Sequence, residues 1–182
     1  LHQLVLGMPG DRATVLKPGA LDLRVELANT ANVFSDTTPQ TSVAMKFESI
    51  RSGFFLRYGV TERLEMAVEV PVLNRYRGIM EGMISAVERA TTGLAPDRRA
   101  LKGTGYAYQV TSGGRPVINA REGVVGLGDA SVMGKYQVLT ETNSLPALSL
   151  RAALKLPTGD ESHLLGSGSP DYGFGLAMEK HV

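Results

Sequence analysis

The residues able to do nucleophilic or acid–base chemistry gather in one short stretch, Asp160-Glu161-Ser162-His163, with Ser167 and Ser169 just beyond it. Serine, histidine and aspartate are the parts of an acyl-transfer site. Such a site needs strands that fix the three groups and a strained turn that presents the serine. Neither is visible around His163, so no catalytic residue is expected there. The histidines His2, His163 and His181 lie far apart, without the His-Glu-x-x-His spacing of a zinc protease. Cysteine is absent, which excludes a disulfide framework, a thiolate zinc site and a cysteine nucleophile. Gly166-Ser167-Gly168-Ser169 lacks the lysine and the helix of a phosphate cradle and reads as a flexible loop. Asp22, Glu26, Glu65 and Glu69 could together hold calcium; pairing with Arg24, Arg57, Arg63 and Arg151 is the favoured reading. No metal, no cofactor and no enzymatic activity are expected. A net charge of +1 gives no basic field of the kind that attracts nucleic acid.

Those charges sit in strands. Leu21, Leu23, Val25 and Leu27 alternate with Asp22, Arg24 and Glu26. Successive side chains of a strand point to opposite faces, so the segment has one apolar and one charged face. The same period returns over residues 64–70 and 148–156. Six strands are predicted, at about residues 20–33, 43–58, 63–73, 126–139, 146–156 and from 171 onward. Residues 1–19 read as an extended leading segment with turns at Pro9-Gly10 and Pro18-Gly19. In the second strand the apolar parity switches between Phe47 and Phe54, which predicts a bulge or a change of environment near residues 49–53. Residues 74–124 form a long excursion. Ile79, Met80, Met83, Ile84 and Val87 recur at helical spacing, predicting an amphipathic helix over 78–91. Tyr106–Val110 and Arg115–Asn119 flank Ser112-Gly113-Gly114 as a hairpin. The helix is expected to pack its methionine face on that hairpin. The loop would cap, plug or gate a barrel mouth, with Met80, Met83, Ile84 and Val87 as the gate residues.

The connections are read as alternately long and short, beginning with a long one after the first strand. In an up-and-down meander this gathers the short turns at one end, as in outer-membrane barrels. The fold expected is therefore all-β, an antiparallel up-and-down meander forming part of a transmembrane β-barrel. Asp22, Arg24, Glu26, Arg57, Arg63, Glu65, Glu69, Lys135, Arg151 and Lys155 would line its lumen. No apolar run approaches the roughly 18 to 20 residues of a membrane helix. Six strands are fewer than the about eight that close a membrane barrel. The 182 residues are thus read as one domain, the N-terminal portion of a barrel of about 10 to 14 strands. With no initiator methionine and no visible signal peptide, the chain reads as a mature or trimmed product.

Several short motifs add a resemblance. Gly126-Leu127-Gly128-Asp129, Lys135-Tyr136 and Leu154-Lys155-Leu156-Pro157-Thr158-Gly159-Asp160 resemble the outer-membrane barrels of the meta-pathway phenol-degradation transporter group. Ala28-Asn29, the run from Arg57 to Glu65, and Gly166-Ser167-Gly168-Ser169 are similar to a related, uncharacterised family of Gram-negative outer-membrane barrels. The resemblance spans about residues 18 to 178. It implies a bacterial outer-membrane location, contact with outer-membrane lipid and passage of small solutes, hydrophobic ones among them. It supplies no catalytic residues. The competing readings are a soluble β-sandwich or open barrel binding a lipid or protein partner, and a lipid-acting enzyme that would use His163.

Overall fold

The structure, a computed structural model, describes Leu6, Met8 and residues 10–181. The expectations for His2 and Pro9 fall outside these residues. The chain is antiparallel β apart from two short helices. Its elements are β1 (Leu21–Thr37), β2 (Thr41–Gly59), β3 (Leu64–Tyr76), α1 (Glu81–Thr91), α2 (Pro96–Ala100), β4 (Ala107–Ser112), β5 (Arg115–Asn119), β6 (Val124–Leu127), β7 (Ser131–Leu139), β8 (Ala147–Lys155) and β9 (Asp171–Glu179). The hydrogen-bonded order is β5-β4-β2-β3-β7-β8-β9, with β1 beside β2 and β6 beside β3. Six of the strands are the predicted meander. The hairpin β4/β5 also forms where the Ser-Gly-Gly turn predicts it.

Two boundaries differ from expectation. The first connection is not a long loop. β1 runs on to Thr37, and residues 38–40 make a tight turn. Thr38 N donates to Thr41 O at 2.8 Å, and Thr41 N donates to the Thr38 hydroxyl at 3.0 Å. Pro39 sits where no donor is needed, so polar residues that read as loop become strand ends. The predicted fourth strand is split into β6 and β7, because Asp129 leaves the ladder to bind a distant loop, as described below.

The chain divides into two compact units. The first contains the residues up to Glu26, Ser52–Val72 and the chain from Leu127. Its registers place side chains in cross-strand rows. Leu64, Tyr136, Leu150 and Leu176 form one row. Glu65, Lys135, Arg151 and Gly175 form the next, on the opposite face. The apolar face is the exposed one: Leu23 is 72% exposed and Phe174 79%. The charged face is the covered one: Glu65 is 3% exposed and Lys135 4%. The buried apolar cluster of this unit is Ala13, Ala147 and Ala177.

The second unit contains Leu27–Arg51 and Leu73–Gly126. Here Phe47 stacks on Tyr108 with centroids 4.8 Å apart, and Leu73 and Leu101 are buried. The Arg75 guanidinium lies over Tyr108, 5.6 Å from its centroid. Lys46, Phe47, Glu48 and Ser49 are all buried, so both faces of β2 are covered in this stretch. That change of environment accounts for the parity switch in β2.

Candidate functional site

The covered face of the first unit concentrates its charge. β1, β2, β3, β7 and β8 each contribute every second residue to it. Arg57 Nε donates to Asp22 Oδ2 at 2.9 Å, and the same guanidinium lies 3.7 Å from Glu65. Lys135 Nζ is 3.4 Å from Glu65 Oε1. Arg24 pairs with Glu26 at 3.2 Å and lies over the Phe55 ring at 4.3 Å. Lys155 joins Asp171 at 2.5 Å, in the row that also holds Ser131 and the half-buried Glu69. Arg63 sits at the β2–β3 turn and is exposed. Nine of the ten expected charges therefore lie on strands of this face, and Arg63 at its rim. Of the acids proposed for calcium, Asp22, Glu26 and Glu65 meet basic groups in these contacts. Among the described residues no group of histidine and acidic side chains is placed to hold a metal ion.

The leading segment, expected to be merely extended, lies on the same face. Asp11 reaches Lys135 at 3.0 Å and Arg57 at 3.6 Å. Ala13 N donates to Glu179 at 3.2 Å, and Ser149 donates its hydroxyl to Ala13 O. Leu16 N donates to Glu65 Oε2 at 2.9 Å. Gly173 and Gly175 leave room on β9 for Met8. Residues 10–20 thus form a strap across the charged face. With Arg24, Arg57, Glu65, Lys135 and Arg151, Asp11 surrounds a cavity of about 60 Å³. That is room for a few waters and far below the about 300 Å³ at which ligand pockets begin. No local signal marked the strap, because its partners are up to 167 residues away.

Gly59 anchors the strap. Gly19 N donates to Gly59 O at 2.8 Å, and a side chain at Gly59 would come within 2.1 Å of Lys17 O. Gly59→Ala is expected to cost about 1–3 kcal/mol through overpacking, read as a lower urea midpoint.

The turn motifs converge as well. Asp129, from Gly-Leu-Gly-Asp, accepts bonds from Gly159 N at 3.0 Å, Ser167 N at 2.8 Å and the Ser167 hydroxyl at 3.0 Å. Lys155 Nζ stands 3.4 Å away. Thr158 bridges the same knot, donating to Gly128 O and accepting from Ala130 N. A side chain on Gly159 would meet the backbone of Gly166 at 2.7 Å, and one on Gly166 would meet Asp129 at 2.4 Å. The Gly-Leu-Gly-Asp motif and two motifs 30 to 38 residues further on are therefore one packed cluster that pins the 156–170 loop. This overturns the reading of Gly166–Ser169 as a flexible loop, since Ser167 is held by Asp129 and Lys155.

The Ser-His-Asp stretch does come together, but in the wrong arrangement for a relay. Asp160 Oδ2 lies 2.7 Å from His163 Nδ1, and Ser162 Oγ lies 3.2 Å from that same nitrogen. A relay needs the aspartate and the serine on opposite ring nitrogens. Bonds from Ser162 and His163 hold the Asp160 carboxyl down at about 2, so it is a stable anion that closes a turn.

In the second unit, α1 forms over 81–91, inside the predicted span. Met80 and Ile84 are half-buried, and Met83 and Val87 are exposed. The expected packing of the methionine face on the hairpin is not what forms. The polar side turns inward instead: Glu81 and Glu88 grip the buried Arg98, and Lys46 lies 3.3 Å from Glu81.

An antiparallel sheet that exposes an apolar face and covers a charged one defines the class of this protein. The chain belongs to the family described as "Protein of unknown function (DUF3187)", which matches residues 1–182. No curated protein matches it.

Proposed function

We propose that the chain forms part of a bacterial outer-membrane β-barrel that acts as a passive conduit for small solutes, hydrophobic ones among them. The observation that carries this reading is the inverted burial of the first unit. Leu21, Leu23, Val25, Leu150, Tyr172, Phe174, Leu176 and Met178 are all more than half exposed. A contiguous apolar face of this kind marks an interaction surface, and a monomeric protein in water rarely leaves one open. The opposite face is lined by charges of both signs, which a wet lumen tolerates and a lipid face does not. Strand length agrees. β7, β8 and β9 have 9 residues each, and β1, β2 and β3 have more, against the about 9–11 needed to cross a bilayer. The resemblance of the turn motifs to the phenol-degradation transporter group points to the same location and cargo. The strap would narrow the passage.

The test is expression of the full natural protein with cell fractionation, followed by reconstitution into planar bilayers. The protein is expected in the outer-membrane fraction, soluble only with detergent, and to raise bilayer conductance. A monodisperse protein without detergent would overturn the proposal in favour of a soluble β-sandwich or open barrel. His163→Ala is expected to leave solute passage unchanged, since that side chain serves the loop and not the charged face.

A further inference from the structure

Helix α1 is amphipathic the wrong way round for a protein in water. Its exposed positions are Gly82, Met83, Ala86, Val87 and Ala90, flanked by the exposed Arg89 on the Gly82 side and Thr91 on the Val87 side, with Ile79 just before its start. The six uncharged residues form one continuous stripe at helical spacing, with the charge of Arg89 at its edge. Ile79 is 83% exposed. Both of its acids, Glu81 and Glu88, and its Ser85 hydroxyl face the protein, the acids against Lys46 and Arg98. Propensity and solvation alone would set the apolar stripe inward. Something apolar must therefore cover it from outside.

The surroundings of the helix and its flanking charges point to the cover. On β1 the exposed apolar stripe ends at Leu27, and the next residue on that face is Asn29. Asn29 Nδ2 donates to Glu48 Oε2 at 2.9 Å and to the Tyr76 hydroxyl at 3.1 Å. Three neighbouring strands thus turn from apolar to polar at one level. α1 starts at that level: Met80 N donates to Glu48 Oε1 at 2.6 Å, and Met80 Sδ meets Asn29 at 3.3 Å. The exposed flanks of the helical segment carry Arg77, Arg89, Arg99 and Lys102. An apolar helix face beside basic residues is the pattern of an interfacial helix on anionic lipid.

We propose that α1 lies on the anionic headgroup layer of the membrane, with Ile79, Met83 and Val87 inserted at its shallow edge. The proposal rests on the membrane reading above and extends it to a lipid contact outside the strands. These 182 residues hold no tryptophan, and with any tryptophan elsewhere in the full protein replaced by phenylalanine a single substitution gives a clean reporter. Met83→Trp and, separately, Leu150→Trp would be reconstituted in the full protein, in phosphatidylglycerol vesicles with bromine near the headgroup or at mid-chain. We expect Leu150→Trp to lose emission to mid-chain bromine and Met83→Trp to lose it to shallow bromine. Quenching of Leu150→Trp with water-like, unquenched emission from Met83→Trp would overturn the helix contact and leave the barrel standing. Blue-shifted emission from Met83→Trp without bromine quenching would also overturn it, in favour of a second copy as the cover. Quenching at neither position would overturn both readings.

Discussion

Arginine at Leu150 is expected to block assembly in a bilayer. The side chain is half exposed, in the row Leu64–Tyr136–Leu150–Leu176, and no neighbouring acid shares its face in that row. A basic residue on the lipid face near the midplane costs about 2–4 kcal/mol. That is a large share of the about 5–15 kcal/mol by which folded proteins are stable. Arg24→Gln makes the comparison. It removes a charge from the opposite face, where the partner Glu26 is itself half exposed, so the expected change is at most about 1 kcal/mol. The folded fraction in urea titrations from vesicles reads both. Equal tolerance at the two positions would remove the membrane assignment, because a soluble sheet sets no such asymmetry between these faces.

The second large effect is expected at the Asp129 knot. The carboxyl and the Lys155 ammonium are almost fully buried, with side-chain exposures of 2% and 4%. Lys155→Met leaves the carboxylate with its amide and hydroxyl donors but without its cation. Breaking a buried pair from one side costs about 3–5 kcal/mol. Gly159→Ala attacks the same knot sterically, and the two effects should not add, since both release the 156–170 loop. The readout is protease cleavage within that loop, expected in both variants and not in the parent protein. The knot also predicts acid sensitivity. Burial pushes the Asp129 carboxyl up, but the Ser167 and Gly159 amides, the Ser167 hydroxyl and Lys155 outweigh it, and the net shift is downward. A group whose folded value is lowered stabilises the protein above its ordinary range and loses that contribution as the pH falls through the folded value. Loop cleavage should therefore begin only below the ordinary aspartate range, and Asp129→Asn should flatten the pH profile. Cleavage rising toward neutral pH would contradict this.

The strand plan was legible because it rests on a local rule. Side-chain direction repeats every two residues, so Leu21 to Leu27 and Leu148 to Leu156 announce their faces without any partner. The charged face was legible for the same reason. The hairpin at Ser112-Gly113-Gly114 needed only turn chemistry. The β1–β2 turn was misjudged because threonine and aspartate suit a strand end as well as a loop, and pairing with the neighbouring strand decided which. The direction of α1 was misjudged because periodicity gives a stripe but not its orientation. Arg98, which a separate short helix presents 10 residues beyond Glu88, and Lys46, on a strand far back in the sequence, draw Glu81 and Glu88 inward. The sequence by itself determined which residues share a face, the antiparallel plan and the sites of most turns. The tertiary structure alone decided that residues 10–20 cross the charged face, that three glycine-rich motifs meet at Asp129, and that a helix turns its apolar side outward. Each of those depends on the approach of groups far apart along the chain, and that information no local period carries.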